Sequence, residues 1–238
     1  MNFYFPMFYY GTGYFEYLLF MLPALVLVLA AQGLVRSRYK KYSRVNTANG
    51  VTGRDIAQAI LNQNGITNVS IAPVGGNMTD HYHPTKQVIY LSEGVYDSTS
   101  IAAVGIAAHE AGHAVQHAKG YAFLQFRSAM VPVCNVASAL SLPLLFAGYF
   151  FDLFGLVILG IALFGASTLF HLITLPVEFN ASARALKYIQ SGNLFSQQEY
   201  KGAKQVLTAA ALTYVAALAQ SLVQLLYYIL RFAGGRRR

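Results

Sequence analysis

Apolar residues fall into four long runs, separated by shorter polar stretches. The first run spans about 17–35 and carries no charge after Glu16. The second and third span about 131–151 and 153–175, with Asp152 and its neighbours between them. The fourth, about 206–230, is interrupted by Thr213, Gln220 and Gln224. A helix needs about 20 apolar residues to cross a bilayer, so the pattern predicts three to four transmembrane helices. The second and third runs should form a hairpin that crosses and returns.

The stretch between the first and second runs reads differently. Thr52 and Asp55 have the T-x-x-D spacing of a capping box, which opens a helix expected to end near Gly65. Residues 69–74 and 87–91 are strand candidates, rich in β-formers and bounded by turn residues. His81-Tyr82-His83 between them reads as a polar turn leading to Pro84. From Ser98 or Ser100, an Ala-rich helix should run to about Lys119 and stop at Gly120. The pattern thus divides the chain into four parts. An N-terminal anchor with its basic flank covers 1–44, and a folded unit covers 45–130. A transmembrane hairpin covers 131–175, and a last segment with a membrane helix covers 176–238.

Composition sharpens this picture. Of 238 residues, 55% are hydrophobic and 11% charged, against about 25% charged in a soluble domain. The net charge of +8 comes from basic residues beside apolar runs: Arg36, Arg38, Lys40, Lys41 and Arg44 after the first, and Arg236–Arg238 at the end. That placement suits anionic headgroups and argues against nucleic acid as a partner. No Lys or Arg precedes the first run, so the positive-inside rule puts the N-terminus outside and 36–130 in the cytoplasm. Residues 176–205, with Arg184, Lys187, Lys201 and Lys204, return to the same side. A fully spanning fourth run would put the Arg236–Arg238 tail outside; either that run is re-entrant or interfacial, or the tail is an exception. Cys134 is the single cysteine, so no intramolecular disulfide forms.

The candidate chemistry lies in the Ala-rich helix, at His109-Glu110-Ala111-Gly112-His113. Histidines four apart share one helix face and can reach one ion. Glu110 projects beside them, where it can take a proton from metal-bound water, as in the H-E-x-x-H pattern. A chance match in a chain of this length is on the order of 1%. The nearly all-small or apolar flank 101–108 makes a solvated surface helix a poor alternative. A third ligand is required, and Lys119 stands six residues after His113, where a metzincin would place its third histidine. Glu178 is the strongest downstream carboxylate; its plain alternative is a charge at a helix N-terminus just after Pro176. Asp80, Glu93 and Asp97 remain weaker rivals, and Glu199 falls in an S-x-x-E capping box with Ser196. His81 and His83 are candidates for contacts to substrate or transition state, His117 lies off the His109–His113 pair, and Arg127 reads as an interface anchor.

Four strings together resemble the YugP-type membrane zinc metallopeptidases of bacteria: Asp80-His-Tyr-His-Pro84, Tyr90-Leu-Ser92, Ala107-Ala-His-Glu-Ala-Gly-His-Ala-Val-Gln116 and Leu175-Pro-Val-Glu-Phe-Asn-Ala-Ser182. More distantly the chain is similar to HtpX and the CAAX prenyl proteases. The resemblance implies one zinc ion held by His109, His113 and Glu178, with Glu110 as general base. It also implies a polypeptide substrate and a zincin-like α+β unit within a mainly α membrane protein. It further suggests that the strand at 88–92, with Tyr90, borders the cleft and pairs with extended substrate. His83 and Asn180 stand where the resemblance leads one to expect Asp. The expected activity is that of a metalloendopeptidase at the cytoplasmic face of the cell membrane. A non-catalytic, zinc-stabilised membrane scaffold is the alternative, and intact Glu110 argues against it.

Overall fold

The computed structural model describes residues 6–191 and 194–233; the Arg236–Arg238 tail, and the question of its side, lie outside them. The chain is a mainly α membrane protein with one small sheet, in the order α1 (Pro6–Tyr42), α2 (Gly53–Gln63), β1 (Ser70–Val74), β2 (His81–His83), β3 (Val88–Ser92), α3 (Glu93–Tyr96), α4 (Ile101–Ala118), α5 (Ala122–Phe150), α6 (Phe154–Ser191) and α7 (Gln197–Tyr228). A π-helical turn, Ile229–Ala233, extends α7. Among the described residues, four stretches are long and apolar enough to cross a membrane: Phe15–Tyr42, Ala122–Phe150, Phe154–Ser191 and Gln197–Phe232. Their outer faces are apolar, with Leu19, Leu22, Val26, Val136 and Phe146 about half exposed or more. That is the reverse of a water-facing helix and suits lipid.

The chain divides into two compact units. One comprises residues 1–30, 129–172 and 215–238; the other comprises 31–128 and 173–214. In the first unit, α5 and α6 form the expected hairpin, turning at Asp152 with a left-handed φ of 54°. A Cβ on Gly160 would lie 2.8 Å from Ser141 O, so the small residue permits the close approach of the two helices. Thr168 and Ser221 share a 2.7 Å hydroxyl hydrogen bond between α6 and α7.

The second unit surrounds α4. The predicted capping box forms: Thr52 Oγ1 accepts from the Asp55 N–H at 3.1 Å, and Asp55 Oδ2 accepts from the Thr52 N–H at 3.2 Å. Ile56, Ala57, Ile60 and Leu61 bury one face of α2, which packs on α4. Ser100 caps α4, its Oγ accepting from the Ala103 N–H, and Gly120 turns the chain after it at φ 63°. Ala102, Ala103, Ala107, Ala108, Ala111 and Ala114 are essentially fully buried. Small side chains let neighbouring backbones come close to this helix from several sides. The sheet order is β1-β3-β2, with β3 parallel to β1 and antiparallel to β2. Ile89 and Leu91 of β3 are completely buried in the same core. His81–His83 is therefore a strand and not the expected polar turn: its register on Tyr90, Ile89 and Val88 is a pairing that local composition does not announce.

Candidate metal centre

α6 runs unbroken through Pro176 to Ser191. Glu178 consequently sits inside a helix, and the alternative of an N-terminal helix charge is ruled out. Gly112, between the two histidines of α4, is what brings this helix in: a Cβ there would lie 2.7 Å from Ala181 O. With hydrogen in that place, α6 lies directly on the histidine face of α4. Glu178 and Ser182, one turn apart on α6, then both meet His109.

The donor geometry follows. Glu178 Oε2 lies 3.2 Å from His109 Nε2 and 3.5 Å from His113 Nε2. One ligand atom from each of the three residues falls within 4.8 Å of the others. Zinc at about 2.0–2.1 Å from tetrahedral nitrogen and oxygen donors would set those donors about 3.3 Å apart. Two imidazoles and one carboxylate are also a donor set of catalytic zinc, so the residues present fit the ion. All three are nearly buried, Glu178 being 3% exposed and His113 8%.

Each imidazole is fixed from behind. His109 Nδ1 is 3.1 Å from Ser182 Oγ, and His113 Nδ1 is 3.0 Å from Gln116 Oε1. Gln116 in turn donates through Nε2 to Val177 O at 2.8 Å and to Asn180 Oδ1 at 3.0 Å. Asn180 Oδ1 also accepts from Arg184 Nε, so the amide serves as acceptor where the resemblance leads one to expect Asp. Such rear partners set which ring nitrogen faces the ion. Burial disfavours charge on His113, but its bond to Glu178 and the charges of Glu110 and Glu178 outweigh burial and raise its pKa above the ordinary value.

Glu110 is 8% exposed. Its Oε2 accepts the backbone N–H of Tyr82 at 2.9 Å, while the Tyr82 hydroxyl meets His117 Nδ1 at 2.7 Å. The strand nearest the base is thus β2. The expectation that β3 offers its edge to substrate does not hold: β3 is the central strand, paired with β1 along 88–92 and with β2 along 88–90. Its Ser92 N–H is taken by Asp80 Oδ1 at 2.7 Å. Asp80 is committed to Ser92 and Asp97 lies near Arg54, so neither joins the donor cluster. Glu199 forms the expected capping box with Ser196.

Of the other candidates, His81 lines the cleft beside Glu110 and stacks on Tyr90 with ring centroids 5.0 Å apart. His83 Nδ1 accepts from the Lys86 N–H. Neither His83 nor Tyr90 meets the donor cluster. Ser182, Gln116, the Tyr82 N–H and Tyr214, which lines the cleft with Glu178, His109 and His113, join the centre without having been assigned roles from sequence. Ser182 at four residues from Glu178 and Gln116 at three from His113 carried a legible helical spacing; Tyr214 and the Tyr82 N–H carried no local signal.

The family model described as "Putative neutral zinc metallopeptidase" matches residues 17–233. "Putative membrane protease YugP" of Bacillus subtilis (strain 168) is 47% identical over 216 residues, covering 90% of this chain and 96% of that protein. No solved structure matches the chain. The chain belongs to the family described as putative neutral zinc metallopeptidases.

Proposed function

We propose that the chain is a zinc-dependent endopeptidase that hydrolyses polypeptides near the cytoplasmic face of the membrane. His109, His113 and Glu178 hold the ion, and Glu110 is the general base. The observation that carries this reading is the convergence of three donors with Glu110 beside them, its carboxylate held by the Tyr82 N–H. When bound, zinc supplies Lewis-acid polarisation of the scissile carbonyl and makes water more acidic.

The chain's own residues do the rest. Glu110 Oε2 is oriented by the Tyr82 N–H, so its other oxygen is available to accept a proton from the attacking water. The same carboxyl then gives that proton to the leaving amine. Burial of the site keeps bulk water from dispersing these charges. The edge strand β2 borders the base and is the candidate for pairing with extended substrate. The cytoplasmic assignment rests on Arg36, Arg38, Arg184, Lys187, Lys201 and Lys204, which belong to the same unit as the site.

The test compares purified wild type with Glu110→Gln in detergent, measuring zinc per chain and cleavage of casein. One zinc in both, with cleavage by the wild type alone, is expected. Absence of zinc in both refutes the metal centre, and zinc without cleavage by either favours the non-catalytic scaffold.

A further inference from the structure

The cleft has two arms that meet at the metal centre. A cavity of about 380 Å³ is walled largely by apolar residues, including Val35, Ile106, Val206 and Leu207. A smaller one of about 160 Å³ contains Arg127, with His81 and Tyr82 of β2. Asp80, His109, Glu110, Glu178 and Tyr214 line both, so a polypeptide crossing the reacting centre must pass from one arm to the other.

Arg36 lines the larger arm, and Arg127 is the cation of the smaller, polar one. Its Nη1 lies 3.6 Å from Glu178 Oε1, beyond the usual N–H···O range. Its Nε is buried and has no hydrogen-bond partner, the single such side-chain nitrogen or oxygen among the described residues. The carboxylates lining this arm are Asp80, Glu110 and Glu178. Asp80 is engaged by Ser92, and Glu110 by Tyr82. A guanidinium has five N–H donors, and among the described residues one loose ion pair engages them. A buried donor that lacks an acceptor is costly, whereas a charge-assisted bond to an incoming oxygen would be strong. An anchor for the membrane interface would instead hold its head group in water, and this side chain is only 31% exposed.

We propose that Arg127 is a substrate-binding residue that holds an oxygen of the polypeptide, either a backbone carbonyl or a terminal carboxylate, in the polar arm of the cleft. This rests on the peptidase reading above. Losing one charge-assisted hydrogen bond corresponds to about a 10- to 100-fold loss of binding.

The experiment uses full-length protein in detergent, loaded with zinc. Casein binding to Glu110→Gln is compared with binding to Glu110→Gln combined with Arg127→Ala, by fluorescence anisotropy. In the otherwise native background, Arg127→Ala and Arg127→Lys are assayed for KM, kcat and chelator-competed zinc affinity. The expected result is a 10- to 100-fold weaker casein affinity and a KM raised by a similar factor, at unchanged zinc affinity. Added guanidinium should partly restore Arg127→Ala. A pair of otherwise identical peptides, one ending in a free acid and one in an amide, separates the sources. Loss confined to the acid assigns the terminal carboxylate, and equal loss assigns a backbone carbonyl. Weakened zinc with unchanged casein affinity would overturn the proposal and make Arg127 a positioning partner of Glu178. Failure of the wild type to cleave casein would defeat the peptidase reading, while the binding comparison would still decide whether Arg127 contacts polypeptide.

Discussion

Gly112→Ala should damage the metal centre without touching any residue that holds the ion. The added Cβ would lie 2.7 Å from Ala181 O and 3.3 Å from Ala181 C and Cα. Those atoms are helix backbone, so no side chain can rotate away. Ordinary contact begins near 3.4 Å, so α4 and α6 must separate by about 0.7 Å. Overpacking of this kind costs about 1–3 kcal/mol. Glu178 lies three residues before Ala181 on the same helix, and metal–ligand distances tolerate only about 0.2 Å of error. Zinc affinity should therefore fall by about 10- to 100-fold, a loss comparable to removal of a supporting partner.

A matched control lies about two turns away on α4, where the neighbour is α7 and not α6. A Cβ on Gly105 would stand 3.5 Å from the Ala203 Cβ, which is ordinary contact. Both substitutions add the same helix propensity, roughly 1 kcal/mol in favour of Ala. Gly105→Ala should thus melt at or above the wild-type temperature with unchanged zinc affinity. The assay is chelator competition for zinc alongside thermal unfolding in detergent. If Gly112→Ala binds zinc as the wild type does and melts like Gly105→Ala, the close approach of α6 does not position Glu178 and the reasoning fails.

Gln116→Ala removes the link from His113 Nδ1 to Val177 O and Asn180. Zinc affinity should drop about 10-fold by chelator competition with secondary structure intact; an unchanged affinity would show that His113 needs no rear support. Zinc binding should also weaken as pH is lowered from 8 to 6, because the ion requires a neutral imidazole and the His113 pKa is raised above 6.5. In zinc-stripped protein the sign reverses: charged His113 stabilises the fold fully below about pH 6.5, and that contribution is lost as pH rises through the raised value. A flat zinc affinity across this range would contradict the assignment. Thr52→Ala removes the two bonds made by the Thr52 hydroxyl and leaves the backbone N–H bond to Asp55; it should cost about 1 kcal/mol in thermal unfolding. Zinc per chain should remain at one, since α2 supplies no donor.

What was legible in the sequence was local. The Thr52–Asp55 box, the Ser100 cap and the Gly120 turn are decided by neighbours within a few residues, and each forms as read. The four apolar runs announced the long helices, yet not their ends. Apolarity stops near Leu175 while α6 continues to Ser191, because the polar second half of the helix has α4 beside it in place of lipid. Hydropathy marks the solvent of a segment, and helical hydrogen bonding is indifferent to that change. For the same reason Pro176 looked like a boundary, although a helix supported by neighbours tolerates it. The strand β2 was hidden because three residues acquire strand character only from pairing with β3. Arg127 looked like an interface anchor because its sequence neighbours are apolar; its spatial neighbour, Glu178, is 51 positions away.

The charges of the site give an argument for a divalent cation that does not depend on the H-E-x-x-H pattern. Asp80, Glu110 and Glu178 line the cleft, with Arg127 in one arm and Arg36 in the other. Three carboxylates against two guanidinium groups leave one negative charge uncompensated, a costly state where water is scarce unless something neutralises it. One route is a divalent ion between His109, His113 and Glu178, which offsets that charge. The other is protonation, and the raised pKa of His113 is that route beginning in metal-free protein. Metal and protons therefore compete for the same deficit, so zinc binding must release protons, and more of them below neutral pH. Calorimetric zinc titration in two buffers of different ionisation enthalpy would count them. A count that does not rise between pH 8 and pH 6 would mean that the deficit is met elsewhere and that His113 is neutral before the ion arrives.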